Sequence, residues 1–317
     1  MALPLPAGIS APVVSAAVTW AGFALLAAIP VMAGNSFVYH VAILVGIEGL
    51  LALSIHLMLR IGQLSLAQAG LMGLGAYASA LLTRDLGAPF LVGLLAAVLA
   101  PALAAAAVGT VALRIKGVHF ALLTFVLGEA IVLVFVEFVV PFGGNNGLMK
   151  IPAAAIGPFL LKARPAYYAL VVAVLAGALL VSQRLLGGRS GEVIHGLLHN
   201  EPLVQSLGID VLSWRRLIFS VAGGIAGAAG CLYAHYLSYI SPEAFNVSTA
   251  VNALTMNVVG GVSVLAGPIL GAVLLVPLPE LFRSAVLYQQ LLNGLALLGL
   301  MVFFRHGLAG LVRRRQP

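Results

Sequence analysis

Residues 38–59 read VYHVAILVGIEGLLALSIHLML, and the run stops at Arg60. The stretch carries one acid, Glu48, and no lysine or arginine. At 1.5 Å per residue it is long enough, as a helix, to cross a hydrocarbon core of roughly 30 Å. Its apolar residues are continuous. A membrane β-strand would instead alternate polar and apolar over about ten residues. The stretch therefore reads as a membrane-spanning helix, and the rest of the chain repeats the pattern.

Working outward, further runs appear at Ala11–Met32, Leu64–Thr83, Phe90–Leu113, Val118–Val140, Ala166–Leu186, Leu217–Tyr239 and Tyr288–Phe304. The region Thr249–Leu281 is apolar but is broken by Gly260-Gly261, Gly267-Pro268 and Pro277. It reads as two shorter spans meeting near Gly267-Pro268. The expectation is an all-α, polytopic bundle of about ten spans in one domain, residues 1–317, with broken or re-entrant helices. Eight is the alternative if the third span or the broken pair is re-entrant. The composition agrees: 62% of the 317 residues are hydrophobic and 8% are charged. A soluble domain is about 25% charged, so a soluble or disordered chain is excluded.

The net charge is +7, from 16 Lys+Arg against 9 Asp+Glu. In a membrane protein this reads as basic loops on the cytoplasmic side rather than nucleic-acid binding. With the N-terminus inside, Arg60, Arg114, Lys116, Arg184, Arg189, Arg215, Arg216, Arg305, Arg313, Arg314 and Arg315 fall on the cytoplasmic side. Both termini are then cytoplasmic, as is the longest hydrophilic segment, Gly187–Arg216. No base precedes Arg60, so the basic region of a signal peptide is missing, and the first run is expected to stay as a span. The single cysteine, Cys231, excludes an internal disulfide and a cysteine metal cluster.

Enzyme motifs are missing. There is no Gly-Lys pair for a phosphate loop, no His-Glu-x-x-His and no Gly-x-Ser-x-Gly. His195 and His199 form the one close histidine pair and read as a solvated helix face, so no cofactor and no metal are expected. Three acids lie inside spans. Glu137 is near an outer end. Glu48 and Glu129 are deeper, and a carboxylate there needs a partner or a polar cavity. Each reads equally as a pathway group or as a hydrogen-bonding group between helices. The third run opens GQLSLAQAG at Gly62–Gly70. Its small residues suit close helix packing, while Gln63, Ser65 and Gln68 put polar groups where lipid satisfies none. It is either a tightly packed span or a broken helix beside a translocation pathway. Gln63, Ser65, Gln68 and Glu129, with Asn145 and Asn146 of the polar stretch after the fifth run, are the pathway candidates. Segment 187–216 is expected to hold a short helix that docks on another protein or lies on the membrane surface.

The chain resembles the LivM-type permease subunits of ATP-driven branched-chain amino-acid importers. The resemblance is carried by GQLSL at Gly62–Leu66 with Gly75-Ala76-Tyr77, by Gly117–Ala121 followed by Glu129, and by Gly143–Leu148. Later blocks are Ser206–Asp210, Ala228–Ala234, Ile240–Phe245, Gly260-Gly261 through Gly267–Gly271, and Gly307–Leu311. What the resemblance implies is a bacterial inner-membrane importer made of two permease subunits (the second LivH-like), two cytoplasmic ATPases and an external solute-binding protein. The solute would be a branched-chain amino acid or a related small polar molecule. The segment before Gly208 resembles the loop that docks on the ATPase, so Glu201, Pro202, Leu203, Val204 and Gly208 are the coupling candidates. Leu203, Val204 and Leu207 would form its apolar face. The chain departs from the family where Leu203-Val204 replaces a small Ala-Ala pair. A self-sufficient secondary transporter or channel, driven through Glu48 or Glu129, is the competing reading.

Overall fold

The computed structural model describes residues 34–281 apart from Pro158, with positions 20, 23, 24, 27, 28, 30–32 and 294. The first span expected from sequence lies almost wholly outside the described residues, and the last one does too. Twelve α-helices are described: α1 Ser36–Arg60, α2 Gln68–Arg84, α3 Phe90–Ala112, α4 Val118–Glu137, α5 Val139–Phe142, α6 Arg164–Leu186, α7 Gly188–His199, α8 Glu201–Ser206, α9 Val211–Leu237, α10 Val247–Gly260, α11 Gly267–Leu275 and α12 Pro277–Leu281. Five of them, α1, α3, α4, α6 and α9, are long and apolar enough to cross a membrane. Two short antiparallel pairs, Leu148–Met149 with Tyr239–Ile240 and Ala155–Ile156 with Phe159–Leu160, are the only strands among the described residues.

Local chemistry sets the helix ends. Asn35 caps α1 by accepting from the Phe37 N–H, Asp210 caps α9 through the Leu212 and Ser213 N–H groups, and Asn246 caps α10 through the Thr249 N–H. The seventh span therefore begins at Val211, six residues before the Leu217 expected from hydropathy. Asp210 marks that start, and Arg215-Arg216 ride on the first turns of the helix.

The centre of the bundle is α9 packed between α2 and α3. A Cβ on Gly230 would overlap the Met72 carbonyl of α2, and one on Gly227 would overlap the Ala97 carbonyl of α3. Backbones meet here with no side chain between them, which is how small residues hold membrane helices together. On the other side α1 is buried along most of its C-terminal half, from Gly49 to Met58. It packs against α9, α6, α10 and α11.

The third run forms a shorter helix than expected. The sequence expectation put its start at Leu64, but Ile61–Ala67 is not helical, and α2 begins at Gln68. Gly62 takes φ +72°, a conformation other residues adopt at a cost. The Leu66 N–H is then satisfied by Thr124 Oγ1 of α4 at 3.1 Å. A side chain from another helix thus replaces a turn of backbone hydrogen bonding.

Candidate functional site: two helix starts on one turn of α4

α4 runs 20 residues from Val118 to Glu137, so Gly128 and Glu129 lie near its middle. The start of α2 rests on this turn. A Cβ added at Gly70 would lie 2.9 Å from the Gly128 carbonyl oxygen, and one at Gly128 would lie 3.3 Å from Ala67 Cα. The start of α10 rests on the same turn, because Glu129 Oε1 accepts the Val247 N–H at 3.0 Å. An acid at a helix N-terminus meets the positive end of the helix dipole. Two helices thus begin beside one turn near the middle of a third.

Gln63, Ser65 and Gln68 gather at the α2 start, all buried. Gln63 Oε1, Ser65 Oγ and both amide atoms of Gln68 have no hydrogen-bond partner among the described residues. A buried polar group left unpaired costs about 1–3 kcal/mol, so such groups persist where something else uses them. Further along α2, Tyr77 stacks on Phe135 at 4.2 Å between ring centres and meets Phe142 and Phe245 edge-on. This aromatic cluster lies on the side of the polar group toward the C-terminal ends of α2 and α4.

Asn145 and Asn146 are not brought to this place. They are exposed on the 3₁₀ turn Gly144–Asn146, in the connection after α4. The glycines around them serve the turn. A Cβ on Gly147 would overlap the Ile240 carbonyl, where Leu148–Met149 pairs with Tyr239–Ile240. Glu137 is exposed at the end of α4.

The coupling candidates form a second place. Asn200 Oδ1 accepts the Leu203 N–H and so caps α8, with Pro202 in the first turn, where a missing N–H is harmless. Gly208, at φ +77°, closes the helix. The three apolar residues divide. Val204 is buried against α7, where a Cβ on Gly196 would lie 2.6 Å from its Cγ2. Leu203 and Leu207 are 55% and 70% exposed and point away from α7. The single apolar face expected from sequence is thus split, because the chain turns back on α7.

Glu201, a coupling candidate from sequence, sits at a charged junction. Its Oε2 lies 2.7 Å from Lys116 Nζ, in the turn before α4, and 2.9 Å from Arg215 of α9. Burial opposes its ionisation, but the Lys116 and Arg215 charges and hydrogen bonds outweigh that and hold its carboxyl below the ordinary value. A lone acid in a polar loop carries no sequence signal for such a junction. His195 and His199 meet edge-on at 4.4 Å between ring centres, and no group of three metal-binding side chains occurs among the described residues.

Comparison with known proteins adds three findings. The profile of the family described as "Branched-chain amino acid transport system / permease component" matches residues 37–305. The "High-affinity branched-chain amino acid transport system permease protein LivM" of Escherichia coli K12 is 28% identical over 275 residues, covering 80% of this chain and 65% of the relative. The "Autoinducer 2 import system permease protein LsrC" of Enterobacter sp. (strain 638) is 29% identical over 154 residues, 46% of this chain and 43% of the relative. The chain thus spans about two thirds of the length of the LivM protein. No solved structure matches.

Proposed function

The chain belongs to the branched-chain amino acid transport permease family, and on that premise we propose that it is a permease subunit of an ATP-binding cassette importer in a bacterial plasma membrane. It has no catalytic group of its own in this reading. Two cytoplasmic ATPases supply the energy, an external solute-binding protein delivers the solute, and a second, LivH-like permease completes the pathway. The solute is a branched-chain amino acid or a related small polar molecule.

The observation that carries the reading is the pair of helix starts on the Gly128–Glu129 turn. Discontinuous helices beginning at mid-depth are how transporters place polar groups inside a bilayer. Gln63, Ser65 and Gln68, beside the helix start that Glu129 does not occupy, are the hydrogen-bonding groups offered to the solute. Asn145 and Asn146 belong to the route only at its outer mouth, where they meet the delivered solute.

Ten crossings fit this arrangement. The segment after α9 runs through the strand Tyr239–Ile240 and the 3₁₀ turn Pro242–Phe245 to Val247, and α10 continues to the level of Arg60, whose guanidinium donates to the Ser263 carbonyl. α11 and α12 then return. Ala272 sits by Gly49, and Pro277 shares a cavity with Phe37 and Val38 at the other end of α1. With the first and last runs, the count is ten. The basic ends meet on one side, where Lys116, Arg215 and Arg60 flank α7 and α8, supporting cytoplasmic termini and a cytoplasmic 187–216 loop. The exposed Leu203 and Leu207 are the ATPase contact. Reconstitution with the neighbouring ATPase, second permease and binding-protein genes should give ATP-dependent uptake of L-leucine. Uptake by this chain alone, without ATPase, would establish a secondary transporter or channel instead.

A further inference from the structure

Glu48 has no role in the site above. It lies twelve residues from each end of the 25-residue helix α1, about 18 Å at 1.5 Å per residue. That is the middle of a helix long and apolar enough to cross a membrane. No hydrogen bond or ion pair to its carboxylate occurs among the described residues. The side chain instead lines a cavity of about 360 Å³ between α1, α10 and α11–α12. That lies within the range of about 300–1,000 Å³ typical of small-molecule sites.

The lining is of two kinds. Leu44, Met256 and neighbouring aliphatic residues make an apolar wall, while Glu48, Thr249, Asn252 and Thr255 make a polar one. The two threonine hydroxyls donate to backbone carbonyls, of Ala244 and Val251. Glu48 and Asn252 are the polar groups left over. The described lining contains no lysine, arginine or histidine. A carboxylate inside a span calls for a cationic complement, and the described lining holds no cation.

We propose that the Glu48 cavity binds the cationic amino group of a small solute, with the apolar wall taking an aliphatic body. The inference rests on the importer reading and deepens it: the solute is an aliphatic amine or amino acid rather than a neutral amide or a simple carboxylic acid. A phospholipid headgroup amine is the other source of an ammonium. It sits at the bilayer surface, so the depth of Glu48 favours the solute. Asn252 lies one helical turn along α10 from Ser248 and supplies a second hydrogen-bonding group at the polar end.

The test uses the assembled importer in lipid vesicles and a membrane-permeant carbodiimide, which modifies carboxyl groups in apolar surroundings. Adduct at Glu48 is read by mass spectrometry, with Glu48→Gln as the blank. L-leucine and isoamylamine are expected to suppress the adduct, and 4-methylpentanoate, which has leucine's carbon skeleton without the amine, is expected to leave it unchanged. Glu48→Gln should raise the KM for L-leucine about tenfold to a hundredfold, the loss of one charge-assisted hydrogen bond. Equal protection by the acid and the amine overturns the proposal. So does protection by sodium ion alone, by ethanolamine-headgroup lipid alone, or by none of the probes. Failure of ATP-dependent uptake in the wild type, with amine protection intact, would refute the importer reading and leave the site standing.

Discussion

Glu201 joins three parts of the chain, and the two ion pairs it makes differ in kind. Its carboxylate touches Arg215, whose side chain is 6% exposed, and Lys116, whose side chain is 59% exposed. Removing one partner of a buried pair costs about 3–5 kcal/mol, because the other charge is left without compensation. An exposed pair is worth about 0–1 kcal/mol. Arg215 Nε already lacks a partner among the described residues, so Glu201→Ala strands a nearly buried guanidinium. Glu201 itself retains 15% exposure, which puts the expected cost near the lower limit, about 3 kcal/mol. Lys116→Ala should cost less than about 1 kcal/mol. At about 1.4 kcal/mol per factor of ten, amides of α8 should exchange with deuterium roughly a hundredfold faster in Glu201→Ala and less than about fivefold faster in Lys116→Ala. The sign with pH follows. The carboxyl is held below its ordinary value of 4.5, so its stabilisation is full above that pH and is lost as pH falls through the depressed value. The gap between wild type and Glu201→Ala should therefore narrow below pH 4.5. Hydrogen exchange by mass spectrometry on the protein in nanodiscs measures all three. If Lys116→Ala loosens α8 as much as Glu201→Ala, the assignment of Arg215 as the dominant partner is wrong.

Gly230→Val places two methyl groups against the Met72 carbonyl. It should destabilise the α2–α9 contact by about 1–3 kcal/mol or more, and an unchanged melting temperature in detergent would refute the backbone contact. Gly208, at φ +77°, should tolerate Asn, which visits left-handed conformations, better than Asp at an ATPase contact. Gly208→Asn is thus expected to keep solute-stimulated ATP hydrolysis and Gly208→Asp to lose it; equal activity of the two would remove Gly208 from the docking surface. Cysteines at exposed Arg189 and Glu243 should label from opposite sides of the membrane with an impermeant reagent. Native Cys231 is buried and needs no replacement, and external labelling at position 189 in intact cells would invert the proposed orientation.

The spans were legible because hydrocarbon demands continuous apolar runs, and α1, α3, α4 and α6 begin and end within a few residues of their runs. What hydropathy did not carry was backbone satisfied from a distance. GQLSL is as apolar as a helix start, yet Thr124 takes the Leu66 N–H, and nothing near position 64 announces a residue 58 positions away. Glu129 reads from sequence equally as a pathway group or an interhelical hydrogen bond, and in the structure its Oε1 accepts the first N–H of α10, from a residue 118 positions away that the sequence does not announce. Asn145 and Asn146 lie apart from the α2 start, on an exposed turn; polarity in sequence says nothing about which elements a residue is brought beside. The three apolar residues of α8 had helical spacing, but spacing does not reveal that α7 covers Val204 alone.

These distances also decide how a push on α8 would travel. One route runs through Lys116 into α4, which carries both helix starts on its Gly128–Glu129 turn. The other runs through Arg215 into α9, whose glycines lie directly on the α2 and α3 backbones. The first depends on a solvent-exposed ion pair that can break and re-form at little cost. The second depends on a nearly buried charge and on backbone contacts with no compressible side chain between them, and close-packed interiors transmit displacement. α9 is therefore the stiffer path from the proposed docking face to the α2 start. On that argument Gly230→Val should impair solute-stimulated ATP hydrolysis more than Lys116→Ala does, although Gly230 lies far along α9 from the docking helix. A complex in which Lys116→Ala uncouples hydrolysis while Gly230→Val leaves it intact would place the transmission in α4 instead.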